Sequence, residues 1–213
     1  MMHTRHQHLY KSELGALLPT QMTVGMAEVA DKRSLWSTMK HAERKKFLGR
    51  HWFPAVKGPR GRFYIVDHHH LGRALMDDGV KQCQVVLLKD LSHLALAEFW
   101  VVMDHHQWVH PYDARGRRRP VKELPQSLEE LVDDPYRSLA GEVRNAGGYP
   151  KDATPFAEFL WADFFRRRIA ARVVMQHPDE ALRMALNLCH TPEAAHLPGW
   201  TGPINSHDAQ VSG

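Results

Sequence analysis

Strand-like and helix-like patterns of apolar residues alternate over the first ninety positions of this chain, and helical patterns take over beyond them. Leu14 to Leu18 is a short apolar run closed by Pro19-Thr20-Gln21. From Val24 to about Phe47 apolar residues recur at helical spacing, which predicts a helix burying Met26, Val29, Trp36 and Met39. Pro54 to Lys57 and Arg62 to Val66 are predicted strands, with Gly58-Pro59-Arg60-Gly61 as the turn between them. A helix follows over His69 to Asp78, where Gly79 suits its C-terminal cap, and Gln84 to Leu88 is a further strand. This alternation predicts a small α/β domain.

The second half is helical in pattern. Leu91 to Trp108 is aromatic-rich, with Trp100, Asp104 and Trp108 on one face at spacing four. Arg115 to Lys122 is a basic loop containing Gly and Pro. Asp134-Pro135 reads as an N-cap followed by Pro at the first helical position, starting a helix that runs to about Arg144. Thr154-Pro155 repeats that signal ahead of Phe156 to Arg172, and a last helix covers Asp179 to Cys189. Phe156, Phe159, Leu160 and Phe164 form a stripe expected to be the core of this half. The expected organisation is an α/β domain over residues 10–90 and a helical extension over 91–195 packed on it. Residues 1–9 and 196–213 are expected to be flexible. No internal repeat is visible.

Composition narrows the class. The 213 residues are 43% hydrophobic and 24% charged, ordinary for a globular protein of one domain with an appendage or two small ones. No apolar run is long enough to cross a bilayer, and Met1 to His6 does not resemble a signal peptide. Cys83 and Cys189 lie far apart in apolar segments, so reduced core thiols and a cytoplasmic home are expected. The net charge of +4 favours anionic partners without separating a nucleotide from a polymer.

The stretch Phe63 to Leu75 carries the densest chemistry. Four strand-forming residues lead into Asp67-His68-His69-His70, and a helix with Arg73 follows. A helix start favours anions, and imidazoles add donors that titrate near neutrality. A solvated His-rich turn or a metal-binding His tract fits the spacing equally well. Other clusters favour plainer readings. His106 and His110 share a face at helical spacing beside Asp104 and His105, but no third metal ligand has a diagnostic spacing. The arginines from Arg115 to Arg119 read first as a solvated loop and second as phosphate contacts. Arg137 and Arg144 share a face with Tyr136 beside them. Ion pairing with Glu142, Glu158 or Asp163 is favoured over lining a pocket. Arg166-Arg167-Arg168 complement a helix dipole.

Several blocks together resemble the ParB-like family, in its branch of stand-alone ParB-like nucleases. They are Leu18-Pro19-Thr20-Gln21 with Val24-Gly25, Tyr64-Ile65-Val66-Asp67-His68-His69-His70, Asp134-Pro135-Tyr136-Arg137-Ser138-Leu139-Ala140, and Phe156-Ala157-Glu158-Phe159-Leu160-Trp161-Ala162-Asp163. The resemblance implies a compact ParB/sulfiredoxin-like fold, α/β (α+β) with a small mixed sheet, that binds nucleotide phosphates. Its relatives include CTP-hydrolysing partition proteins, ATP-using sulfiredoxins and free-serine kinases. Asp67 and His69-His70 match the Asp-Gly-His-His-Arg motif of the kinase branch. The motif's Gly is His68 here and its Arg is Leu71, with Arg73 the nearest substitute. The kinase branch also has a catalytic Glu where this chain has Gln21, and an amide cannot exchange a proton as a carboxylate does.

The resemblance therefore implies the following roles. Amides near His69 and His70 hold phosphate, the imidazoles of His68, His69 and His70 donate to it, and Arg73 neutralises charge. Asp67 caps the helix or serves as base or metal ligand, while Thr20 and Gln21 form the opposing wall. Asp67, His69 and His70 are the catalytic candidates, and no metal ligand set is assigned. The ligand would be ATP, ADP, CTP or another phosphorylated small molecule, with or without magnesium. The activity would be that of a hydrolase (nuclease or nucleotidase) or of a phosphotransferase. The alternatives are a DNA-associated partition-type protein, for which residues 91–190 show no helix-turn-helix, and a nucleotide-binding switch without turnover. The sequence sets no oligomeric state.

Overall fold

The computed structural model describes residues 9–203, and its central sheet grows from one hairpin. Phe53–Lys57 (β4) and Phe63–Ile65 (β5) pair antiparallel, with Ala55 opposite Ile65 and Lys57 opposite Phe63. A 3-10 turn, Pro59–Gly61, closes the hairpin, and Arg60 there takes a left-handed φ of 61°. Gly58 is needed for space: a Cβ there would meet Tyr64 Cε2 at 2.6 Å and Phe99 Cε2 at 2.8 Å.

Leu18–Pro19 (β2) lies parallel on the outer side of β5. Gln82–Asp90 (β6) runs parallel to β4, and Leu9–Glu13 (β1) is antiparallel to β6. The order β1-β6-β4-β5-β2 is a mixed sheet, as the resemblance implied. β1 covers Leu9, which was expected in a flexible lead-in, and Tyr10 to Glu13, for which no element was predicted; residues 1–8 lie outside the described residues. Its side chains are mostly exposed, so its pairing with β6 defines it rather than any apolar pattern.

Successive β5 residues serve opposite faces. Tyr64 packs with Leu18, Val56, Phe99 and Met103, whereas Ile65 packs with Leu17, Phe53, Leu75 and Val85. Met26–Thr38 (α1) and His69–Asp77 (α3) add Val29, Trp36, Ala74 and Leu75 to the second cluster. Leu96–His105 (α4) adds Phe99 and Met103 to the first. Among the described residues no helix is long and apolar enough to cross a membrane.

Three predicted helices differ in extent. The helix expected over residues 24–47 breaks at extended Met39, and His41–Arg50 (α2) starts separately, with Glu43 accepting from the Lys40 amide at 2.7 Å. The one expected from Leu91 starts at Leu96, after a turn in which the Asp90 carboxylate accepts from the Ser92 amide and hydroxyl. It ends at His105, so Trp108 does not share its face. The one expected over 156–172 is split into Ala157–Arg166 (α6) and Ala171–Gln176 (α7).

The chain divides into two compact units between Asp133 and Asp134 rather than after residue 90. Burial sets this division: Leu91, Phe99, Met103, Val109 and Leu124 share a core with Val56 and Tyr64 of the sheet. Thr23–Val24 (β3) also pairs in parallel with Val132–Asp133 (β7), and Asp133 accepts from the Met26 amide at the start of α1.

The second unit gathers Pro135–Asn145 (α5), α6, α7 and Pro178–Cys189 (α8) around Leu139, Val143, Trp161, Phe165, Ala181 and Ala185. The buried face of α6 is Trp161, Phe164 and Phe165. Phe156, Phe159 and Leu160 of the expected stripe lie outside that core, because α6 begins only after Phe156, which has a φ of 60°. Of the tail expected to be flexible, residues 196–203 are packed: Leu197 is buried and Trp161 Nε1 donates to Pro198 O at 2.9 Å. Residues 204–213 of that tail lie outside the described residues.

Candidate functional site

Beyond Ile65 the chain runs through Val66, whose amide donates to Pro54 O, and reaches the polar junction. His68 has φ 65° and ψ 24°, the left-handed conformation, and stands as N-cap of α3. This is the position of the glycine in the motif that the sequence resembles, and the backbone keeps the conformation glycine favours although the residue is His. Local bonds hold it there. The His68 amide donates to Asp67 Oδ1 at 2.6 Å, and its Nδ1–H donates to Trp52 O at 2.9 Å. The Gly72 amide donates to His68 O at 2.8 Å.

The next two imidazoles reach across to the loop after β2. The buried His69 ring accepts at Nε2 from the Thr20 amide at 3.1 Å, and Thr20 Oγ1 donates to Ile65 O at 2.8 Å. His70 Nε2 accepts from the Gly25 amide at 2.9 Å and lies 3.5 Å from Glu28 Oε2. A backbone N–H can only donate, so both rings are neutral in this arrangement and carry their proton on Nδ1. Gln21 is buried, and its Nε2 donates to Thr23 O at 2.9 Å. Thr20, Gln21, His69 and His70 are thus brought together, with the half-buried His68 and the exposed Asp67 immediately before them on the chain at the same junction. Arg73 is directed elsewhere: its Nε donates to Asp77 at 2.9 Å and its guanidinium to Leu131 O at 2.7 Å.

Two residues that the sequence left out of the wall belong beside it. The His110 amide donates to Thr20 O at 2.8 Å, and His110 bridges Gln21 in parallel sense. Glu28 stands beside His70 and pairs with Lys32 at 3.0 Å. Neither link has a local signal, since each joins segments far apart in sequence.

The remaining clusters resolve otherwise. His106 and His110 share no helix face, because α4 ends at His105, and the His106 ring stacks on Trp108 with centroids 4.3 Å apart. Among the described residues no group of three or more His, Cys, Asp or Glu is placed to hold a metal ion. Arg144 pairs with Glu158, and Arg137 lies 3.5 Å over the Phe159 ring. Arg166 pairs with Asp134 at 2.5 Å and with Asp163 at 3.1 Å, which also takes Arg167.

A mixed sheet whose inner strand delivers an Asp-His-His-His junction to a helix start is the architecture of a ParB-like α/β protein. The chain belongs to that family: the family model described as "Putative ParB-like nuclease" matches residues 10–167. It is also similar to protein Atu1540 from Agrobacterium tumefaciens, known from a crystal structure. The two are 44% identical, with a TM-score of 0.85, over 92% of this chain and 98% of that one. No protein with a curated description matches.

Proposed function

We propose that this chain binds the phosphate of a nucleotide or another phosphorylated small molecule at the Asp67–His70 junction and acts there as a hydrolase. The observation that carries this reading is the left-handed His68 at the start of α3, between exposed Asp67 and the wall of Thr20 and Gln21. A helix start offers amide donors and a positive dipole end to an anion. Because Nε2 of His69 and of His70 each accept a backbone amide, their roles are to hold the wall and to present protons only at Nδ1. Gln21 donates to Thr23 O and has no proton to exchange, which counts against transfer through an acid at that position.

Asp67 is the carboxylate at the junction, suited to orient a water or to meet a magnesium ion carried by the nucleotide's own phosphates. A single exposed carboxylate fits an ion that brings its other oxygens with the substrate, and magnesium would then neutralise charge on the phosphate. A reducing, cytoplasmic setting belongs to this reading. Calorimetric titration with ATP, ADP, CTP and inorganic phosphate, each with and without magnesium, tests it. Binding that weakens in Asp67→Asn when magnesium is present, with slow release of product, supports it. Absence of heat for all four ligands sinks it; binding without turnover would leave a switch in place of a hydrolase.

A further inference from the structure

Pro111 to Arg119 folds as a short hairpin. The Arg119 amide donates to Pro111 O at 2.7 Å, Tyr112 bridges Arg118 antiparallel, and the Asp113 amide donates to Arg117 O at 3.0 Å. Its tip, Ala114-Arg115-Gly116, turns through Gly116 at a φ of 71°. The Asp113 carboxylate clamps that tip, accepting from the amides of Arg115 and Arg117, both at 3.0 Å. Burial alone would raise this carboxyl. The two amides and the nearby Arg119 and Arg117 charges outweigh it and hold the group below its ordinary range.

The four arginines are not equivalent. Arg118 pairs with Asp104 at 3.0 Å and Arg119 with Glu123 at 2.8 Å. Arg115 and Arg117 are exposed and make no ion pair among the described residues. The root of the hairpin is the wall of the candidate site: the His110 ring stacks on Tyr112 at 4.3 Å, and the His110 amide holds Thr20 O. A clamped turn rooted at the Thr20–Gln21 wall therefore carries two exposed guanidinium groups, of which Arg117 lies near the Asp113 carboxylate and Arg115 makes no ion pair among the described residues.

We propose that this hairpin is an arm that tracks the sugar-phosphate backbone of a nucleic-acid strand, with Arg115 and Arg117 on phosphates flanking the one bound at α3. Guanidinium groups are suited to phosphate oxygens, and a rooted arm adds contacts that a mononucleotide has no use for. The placing of the flanking phosphates rests on the proposed α3 site; contact between the arm and a strand does not.

The test is fluorescence anisotropy with labelled single-stranded DNA, single-stranded RNA and duplex DNA over a range of salt concentrations. The proteins compared are the unaltered chain, Arg115→Ala/Arg117→Ala and Arg115→Lys/Arg117→Lys. The arm predicts salt-dependent binding. In the alanine variant the slope of log affinity against log salt falls by about 1 per arginine removed, while the lysine variant keeps the slope. Preference among the three strands then names the source of the backbone. An unchanged affinity and slope in the alanine variant, or no binding of any strand, overturns the arm. A parallel titration with ATP separates the two readings: ATP binding by the unaltered chain with an unchanged slope in the alanine variant sinks the arm alone, and no ATP binding by the unaltered chain with a reduced slope in the alanine variant sinks the α3 site alone.

Discussion

The Thr20 amide donates to Nε2 of His69 at 3.1 Å, so the ring beside the strand–helix junction is a neutral acceptor and not a cation. His69→Ala would leave that buried amide without its acceptor, at a cost of about 1–3 kcal/mol in stability by urea denaturation. Imidazole nitrogen shifts in NMR should show His69 protonated at Nδ1 alone near neutral pH. A doubly protonated ring would contradict the bond.

His68 tests the link between backbone shape and residue type. Its φ of 65° costs a β-branched residue most and glycine least. His68→Val should lose about 1–3 kcal/mol, whereas His68→Gly should stay close to the parent, since relief of strain offsets the lost bond to Trp52 O. Denaturation midpoints ordered Gly and His above Val are expected. A Val variant as stable as the parent would show that the left-handed turn is not held in solution.

Asp134 has two tasks in the second unit, accepting from the Tyr136 amide at 3.1 Å as N-cap of α5 and pairing with Arg166 at 2.5 Å. Removing both in Asp134→Ala should cost about 2–3 kcal/mol, because the cap is lost and the largely buried Arg166 keeps only its pair with Asp163. Asp134→Asn keeps an acceptor for the cap and should lose clearly less. Equal losses in calorimetric unfolding of the two variants would assign the whole effect to the pair with Arg166 and none to the cap.

Cys83 and Cys189 are free thiols, and burial pushes each up to about 12. A thiol with a raised folded value supports the fold fully below its ordinary value of 9.0 and loses that support as the pH climbs toward 12. Both should resist iodoacetamide at pH 8 in the native protein and react promptly in denaturant, as mass spectrometry would record. Fast alkylation of the folded chain would place them at the surface.

Much of the junction was legible because its determinants are local. The run from Phe63 into Asp67, the helix from His69 and the glycine after it depend on neighbours within a few residues. Asp134-Pro135 was legible for the same reason. The left-handed His68 was visible only by matching it to a motif glycine, since histidine by itself gives no such signal. β1 was hidden because an exposed edge strand needs no apolar alternation. The phase of α6 was misread because both Phe159 and Phe165 are apolar, and packing rather than residue type selects the buried one.

By itself, then, the sequence determined an α/β unit, a polar junction at the end of one inner strand, the helix start that Asp134-Pro135 marks, and the resemblance to the ParB-like family. The like signal at Thr154-Pro155 marked no start, since α6 begins at Ala157. The tertiary structure decided that the first unit extends to Asp133, that His69 and His70 face backbone amides across the loop, and that His110 belongs beside Thr20. Each of these is a contact between segments far apart along the chain. Residue patterns fix local conformation and burial, while the partner of a buried polar group is chosen only when the segments fold together.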